Sequence, residues 1–475
     1  MAHTPASWRA EPKSKIVCTI GPASQAEEQL LALIQAGADV VRLNFSHGTH
    51  EQHAQVITRV RRIADRLDVP VAILQDLAGP KVRIGTFANG SITLNAGDSF
   101  TLTTRSVIGT SQEVSVSYSH LPEEVKRGDT LLLADGTVML VVQDVTADDI
   151  HCQVTVGGTL SAHKGVNCPS GLFKLPILSP KDLTDLQFGI DHQIDYIGLS
   201  FVRTAEDIRI AKAEIAQRGE STPVIAKIET HAALSHIDEI IAVADGVMVA
   251  RGDLGIETAF ARVPLVQKQI IAKANQYAKP VITATQMLWS MVNAPRPTRA
   301  EAADVANAVI DGTDAVMLSE ETAVGHYPVQ AVRAMASIAG EAEHAEGLFT
   351  SREKQREEGT LSEAELMAQA ACHIAAARQL EAILTVTLEG TSARLVAKYR
   401  PSQPILAATP RADTYRRLAL IRGVTPFLLS PNVTTREGMI EKAKERLRLT
   451  GHHQGTVIVF SSVSAEYNML FTDQL

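Results

Sequence analysis

The sequence predicts an α/β fold: a (β/α)8 TIM barrel, a small β-barrel lid domain inserted into it, and a C-terminal α/β domain. Three observations carry this reading. Eight apolar runs of strand length recur with amphipathic segments between them, one gap between consecutive runs exceeds a hundred residues and changes character, and the alternating pattern restarts after about Glu343.

The eight runs are KIVCTI, DVVRLNF, VAILQD, YIGLSF, VIAKIE, GVMVARGD, PVITATQ and AVMLSE. Near-continuous apolarity at strand length marks strands covered on both faces, and the segments between them supply the crossovers of a parallel sheet. Eight such units over this length point to a closed barrel rather than an open sheet. In seven of the eight, polar residues gather at the C-terminal end of the strand, which is the active face of such a barrel. Between QDLAGP and YIGLSF the text turns to short alternating strands such as GSITLNAGDSFTLTT and GDTLLLADGTVMLVV, with Asp135-Gly136 as a hairpin signal. An insertion on the active face suits a lid that excludes water when it closes. The expected divisions are 1–79 with 173–342 for the barrel, 80–172 for the lid, and 343–475 for the C-terminal domain. In the last of these the charged segment SREKQREEGTLSEAE leads into a helix and the strands AILTVTL, PILAATP and TVIVFSS.

A chain of 475 residues is long enough for two or three domains. Hydrophobic residues at 45% and a net charge of −8 fit a globular protein and argue against a nucleic-acid partner. Cys18, Cys152, Cys168 and Cys372 have no CxxC spacing, so neither a disulfide framework nor a zinc site is expected. The N-terminal stretch lacks an apolar core of signal-peptide length and no later run reaches eighteen apolar residues, so a cytoplasmic protein without a membrane segment is expected.

The strand ends hold the chemistry. AKIET puts Lys227 and Glu229 two apart on a strand, leaving from the same face. In ARGDLG, Gly252 lets a ligand approach the backbone and Asp253 offers a second hard oxygen. Either segment alone reads more readily as an ion pair or turn capping a strand. Both together, at neighbouring strand ends, favour a shared Mg²⁺ (or Mn²⁺) with positions open to substrate. VVRLNFSHG supplies Arg42, a good match for phosphate, with Asn44, Ser46 and His47. Thr285 of ITATQM ends another strand, and Thr298 with Glu301 reads as a structural capping box. The chain has no GxxxxGK[ST] and no GxGxxG, so a nucleotide would be held by other means. Scattered cations, a divalent-metal pair and a lid make up the inventory of phosphoryl transfer.

These segments resemble the pyruvate kinase family from about Lys15 nearly to the end of the chain. KIVCTIGPAS, VRLNFSHGTH, GPKVRIG, HKGVNCP, SFVRTAEDI, AKIET, MVARGDLG, ITATQML, PRPTRAE and SEETAVGHYP follow the family's order and approximate spacing. The resemblance implies phosphoryl transfer from phosphoenolpyruvate to ADP, giving pyruvate and ATP. It implies that Lys227 stabilises the transferring group, Glu229 and Asp253 bind Mg²⁺, and Arg42 contacts the phosphoryl group. Gly252, Asp253 and Thr285 would hold the substrate carboxylate, with Thr285 also in the proton relay to the enolate. Asn44, His47, Arg83 and Lys164 would face the nucleotide phosphates. A homotetramer is also implied. The second reading is a catalytically silent metabolite-sensing homologue, against which the intact Lys227, Glu229, Asp253 and Thr285 set argues.

Three departures from the family stand out. Members that require K⁺ hold it at positions matching Asn44, Ser46, Asp76 and the carbonyl of Leu77, with glutamate where this chain has Lys81. The lysine, with Leu77 in place of a common threonine, resembles the K⁺-independent members, so no K⁺ requirement is expected. Trp289 replaces a usual glutamate and is expected to pack on a neighbouring helix or subunit. The loop TLEGTS, with Thr387, Gly390, Thr391 and Ser392, matches the family's effector-phosphate cradle. The chain-terminal loop that closes over it is shortened to SVSAEYNM, which favours a monophosphorylated effector over fructose 1,6-bisphosphate.

Overall fold

The computed structural model describes residues 12–169, 173–349, 361–433, 435–449, 456–464 and 467–474. Eight parallel strands close into a barrel: β1 Lys15–Thr19, β2 Val40–Asn44, β3 Ala72–Asp76, β4 Tyr196–Leu199, β5 Val224–Ile228, β6 Gly246–Ala250, β7 Val281–Ala284 and β8 Ala315–Leu318. They neighbour one another in sequence order, and β8 returns to β1. Each coincides with one of the eight apolar runs. The barrel interior is filled by Val17, Val40, Leu74, Ile225, Met248, Ile282 and Met317, while a larger apolar layer joins the outer strand faces to the helices. Because both faces are covered, these strands show no alternation, and the polar residues are pushed to the strand ends.

The lid enters between β3 and β4. Its main sheet has six strands and curls into a half-barrel beside a two-stranded ribbon of Ser91–Leu94 with Gly158–Ser161. The expected small β-barrel lid is thus a curled half-barrel with its own core around Phe100, Leu131, Leu140 and Ile150. The hairpin at Asp135-Gly136 is present: Leu133 pairs with Val138, so the four-residue loop is centred on Asp135 and Gly136, which are left-handed at φ 57° and 83°, and the Thr137 amide bonds to the Ala134 carbonyl at 3.2 Å.

The C-terminal sheet has five strands, in the order Val424–Leu428, Ile405–Thr409, Ala382–Val386, Thr456–Ser464 and Tyr467–Gln474, the last antiparallel. Ser464 pairs with Tyr467, so SVSAEYNM falls at a hairpin whose residues 465 and 466, like the linker residues 350–360, lie outside the described residues. The turn Leu418–Leu420 presses Ala419 and Leu420 into the interior cluster of the barrel, so this domain docks where the strands begin, away from the active face. All four cysteines are buried. Among the described residues no helix is long and apolar enough to cross a membrane.

Candidate active site

The C-terminal strand ends bring a buried charge cluster together. Asp76, the last residue of β3, is 1% exposed and lies between two cations. The Arg42 Nε of β2 donates to its Oδ2 at 2.6 Å, and the Lys227 ammonium of β5 lies 3.0 Å from its Oδ1. Lys227 also reaches Glu229 Oε1 at 3.0 Å and donates to Ser200 Oγ at 2.6 Å, so three acceptors surround the ammonium. Burial works against the charge on Lys227, yet the Asp76 and Glu229 carboxylates outweigh it and raise the lysine above its ordinary value. Burial likewise opposes the Asp76 anion, but Lys227 and Arg42 hold it below the usual carboxylate range.

Glu229 behaves differently. Its Oε2 accepts the Phe201 amide at 2.7 Å, but burial, joined by the charges of Asp253 and Asp76, raises it despite Lys227. Two facing carboxylates of which one is poorly compensated suit a divalent cation. Among the described residues no cluster of three or more His, Cys, Asp or Glu forms a metal cage. Mg²⁺ fits such a sparse set, because it is commonly held by one or two carboxylates with substrate oxygens and water.

The other side of the site rests on backbone. Gly252 opens the short helix Arg251–Glu257, and its amide donates to Thr285 Oγ1 at 2.8 Å. Thr285 in turn donates to the Ala284 carbonyl at 2.6 Å. Thr285 and Gln286 both sit in the left-handed region, at φ 70° and 53°, which is costly for a β-branched residue. Arg251 restrains this turn, donating to the Thr285 carbonyl at 2.7 Å and to Asp304 at 2.8 Å. Arg251 and Ser200 carry no role in the sequence reading. The signal for both was position, since each follows a barrel strand at its polar end.

The remaining residues fall into separate groups. Asn44 Oδ1 accepts the Ser46 amide at 3.1 Å, and the exposed His47 offers its carbonyl to His53 Nε2 at 3.0 Å, which fixes the loop after β2. Arg83 and Lys164 meet on paired lid segments: Arg83 bridges Gly165, and the Ile84 amide bonds to the Lys164 carbonyl at 2.9 Å. The Lys81 ammonium lies 3.4 Å from Asp253 Oδ1 and 3.9 Å from Asp135 of the lid, with the Phe201 ring 5.6 Å below. Those contacts join it to the metal side of the site rather than to Asn44, Ser46 or Asp76. The Leu77 carbonyl accepts Ser200 Oγ at 2.7 Å. Trp289 is 52% exposed, so among the described residues no helix fully covers it, and of the expected neighbouring helix or subunit the first is not seen there. In TLEGTS, Gly390 at φ 81° caps the helix Thr391–Lys398, and its amide bonds to Thr387 Oγ1 at 2.9 Å. Thr387 and Ser392 are buried and hold the loop from inside, while Thr391 takes a bond from Arg394 at 3.2 Å.

Fold and site define a lidded barrel phosphotransferase. The family model "Pyruvate kinase, barrel domain" matches residues 11–332, and "Pyruvate kinase, alpha/beta domain" matches 365–470. The chain is 51% identical over 421 residues to pyruvate kinase 2 of Synechocystis, covering 88% of this chain and 71% of that one. It is 42% identical over 468 residues to pyruvate kinase of Clostridium acetobutylicum, covering 96% and 98%. A crystal structure of a pyruvate kinase from Cryptosporidium parvum superposes with a TM-score of 0.89 at 35% identity, covering 100% and 98%. The chain belongs to the pyruvate kinase family.

Proposed function

We propose that this chain catalyses the pyruvate kinase reaction of glycolysis through the cluster around Lys227, without needing K⁺ and under control of a phosphorylated metabolite. The phosphorus–oxygen bond of phosphoenolpyruvate breaks, a bond forms to the terminal phosphate oxygen of ADP, and the enolate left behind takes a proton at carbon to become pyruvate. Lys227 and Arg42 neutralise the transferring group, and Asp76 orients both cations. Glu229 and Asp253 hold Mg²⁺ (or Mn²⁺), which when bound supplies positive charge to the transferring oxygens. The Gly252 and Asp253 amides with Thr285 hold the substrate carboxylate, and the Thr285 hydroxyl lies in the relay that delivers the proton. Asn44, His47, Arg83 and Lys164 take the nucleotide phosphates from two sides, the barrel and the lid.

The observation that carries this reading is Lys227, 8% exposed yet kept charged by Asp76 and Glu229. A buried ammonium at a strand end, beside a poorly compensated carboxylate, is a ready electrostatic clamp for a phosphoryl group. The K⁺ reading is supported by Lys81, whose ammonium is a fixed positive charge at Asp253. The effector reading is supported by the Gly390-capped helix start and by the direct strand pairing near the chain end. Cytoplasmic location and a homotetramer follow the family; exposed Phe260, at 85%, and Trp289 fit further subunit contacts. The test is pyruvate formation from phosphoenolpyruvate, ADP and Mg²⁺ in K⁺ or in tetramethylammonium at equal ionic strength. Activity in both, abolished by Lys227→Met, is expected. No pyruvate in either, with candidate effectors present, would leave the metabolite-sensing reading.

A further inference from the structure

Two chain segments join the lid to the barrel, and one buried carboxylate holds both. Asp182 is buried in the first turn of the helix Pro180–Asp191. Its Oδ1 accepts the amide of Gly79, on the outgoing connection, at 3.1 Å. Its Oδ2 accepts the amide of Ser179, on the returning connection, at 2.9 Å, and the Ser179 hydroxyl as well. Burying a carboxylate is costly unless donors meet it, and these three donors come from the two ends of the lid. A helix cap needs only the Ser179 bonds; the bond to Gly79 goes beyond it.

The other side of Gly79 is confined too. Its φ is 70°, and a Cβ there would lie 2.8 Å from Ser200 Cβ, so the outgoing chain runs between the end of β4 and Asp182. Arg83 follows shortly after this point, and Lys164 is paired beside it through the bond from the Ile84 amide to its carbonyl. The same helical turn holds the barrel's side of the cleft. Lys181 Nζ donates to the Phe45 carbonyl at 2.7 Å, inside the loop that carries Asn44, Ser46 and His47. The buried Asp185, one turn on, pairs with Lys181 and takes His50 Nε2 on its other oxygen at 2.8 Å. Successive residues of one helix therefore hold the lid and the loop after β2 from a common base.

We propose that Asp182 and Lys181 are positioning residues for the nucleotide: this helix start fixes how far Arg83 and Lys164 of the lid stand from Asn44 and His47 of the barrel. The proposal rests on reading those four as contacts of the ADP phosphates. The bonds of Asp182 and Lys181 go to Gly79, Ser179, Phe45 and Asp185, none of which is assigned to phosphoenolpyruvate. Loosening them is therefore felt by ADP first, as a loss of binding shared by ground and transition states.

The test uses the full chain as Asp182→Asn, with Ser179→Ala as the variant that weakens the cap and leaves the Gly79 bond. In Asp182→Asn, whose amide cannot accept on both sides, calorimetry with Mg²⁺ should show ADP bound about fivefold more weakly or worse, and phosphoenolpyruvate within about twofold of the wild type. In steady state the KM for ADP should rise to match, with kcat within about twofold. Hydrogen exchange at the Gly79 amide should be about tenfold faster or more. Ser179→Ala should lose stability in urea, yet keep ADP affinity and Gly79 exchange within about twofold. Lys181→Met, at an exposed position, should weaken ADP about threefold or more without changing Gly79 exchange, and Lys181→Arg, which keeps a donor, should restore it. The Lys181 pair decides the matter if Asp182→Asn does not fold. Calorimetry and exchange need no turnover, so a chain that forms no pyruvate is still tested. Unchanged ADP affinity in Asp182→Asn or Lys181→Met, equal weakening of both substrates, or the same ADP loss in Ser179→Ala would overturn the proposal.

Discussion

The Lys81 ammonium, carried by the outgoing hinge of the lid, lies 3.4 Å from Asp253 Oδ1 of the helix Arg251–Glu257. Asp135 from the lid hairpin approaches the same ammonium at 3.9 Å. The lysine therefore spans lid and barrel while supplying a charge that needs no ion from solution. Its stem is closely enclosed, since a Cβ on Gly165 would lie 2.4 Å from Lys81 Cε. If this charge replaces K⁺, the wild-type rate in tetramethylammonium should be within about twofold of that in K⁺. Lys81→Glu should lose at least tenfold in tetramethylammonium, about 1.4 kcal/mol of barrier, and recover on adding K⁺. Strong K⁺ stimulation of the wild type would sink the reading.

Thr285 provides a second test, because its hydroxyl and its strained backbone can be separated. Thr285→Ser retains the acceptor for the Gly252 amide, whereas Thr285→Val retains the shape and loses it. The serine variant should keep kcat within about fivefold. The valine variant should lose about 10²-fold or more, the usual effect of deleting one transition-state hydrogen-bonding group. Steady-state rates of pyruvate formation distinguish them, and equal losses would show that the hydroxyl has no chemical part.

The eight barrel strands were legible because burial on both faces leaves runs of strand length with polar ends, as in DVVRLNF and VIAKIE. The pairing of Lys227 with Glu229 was legible for a geometric reason, since residues two apart on a strand share a face. What the sequence hides is contact between distant ends. Nothing local in SFVRT reveals that Ser200 donates to the Leu77 carbonyl and meets Lys227, or that Phe201 supplies an amide to Glu229. The Asp135-Gly136 turn was legible because both residues tolerate a left-handed backbone, and the pairing of Leu133 with Val138 centres the loop on them. The two outer C-terminal strands, Val424–Leu428 and Tyr467–Gln474, were missed for want of the strong apolar runs that mark a central strand.

Asp76 makes a prediction about pH. Its carboxyl is held below the ordinary aspartate value of 3.8 by Lys227 and Arg42, which outweigh its burial. The folded state therefore releases this proton more readily than the unfolded chain. The resulting stability is fully present above pH 3.8 and is lost as pH falls through the lowered folded value. Asp76→Asn should make unfolding free energy less steeply dependent on pH below that point, by up to one proton in slope. Urea titrations at a series of acidic pH values measure it, and an unchanged slope would show that Asp76 is not so held. The same variant should also be less stable near neutrality, by about 3–5 kcal/mol, because Arg42 and Lys227 lose the charge they share.

Buried carboxylates tie the C-terminal domain to the barrel, Asp314 through Arg400 and Asp195 through Arg416. Asp195, just before β4, accepts Arg416 Nε at 2.7 Å on one oxygen, and Arg61 and the Ile73 amide at 2.8 Å each on the other. Arg416 belongs to the helix Ala412–Arg417, whose Thr414 hydroxyl donates to the Leu388 carbonyl of the proposed effector loop at 2.7 Å. On the other side β4 runs from Tyr196 to Leu199 and leads to Ser200, the partner of Lys227. If the loop tightens on phosphate as proposed, it has a short mechanical connection to Lys227, with Arg416 as its exchangeable link. Arg416→Ala should cost about 2 kcal/mol of stability, the worth of a hydrogen bond to a charged group. It should leave kcat within about twofold, since nothing at the strand ends is removed. Activation should fall much further: a wild-type drop in phosphoenolpyruvate KM of about 5–150-fold on effector binding would shrink to under about twofold. Glucose 6-phosphate and AMP are the probes, with fructose 1,6-bisphosphate as the contrast. A wild type that responds only to the bisphosphate would overturn the monophosphate choice, and an Arg416→Ala variant with full activation would show that the signal takes another route.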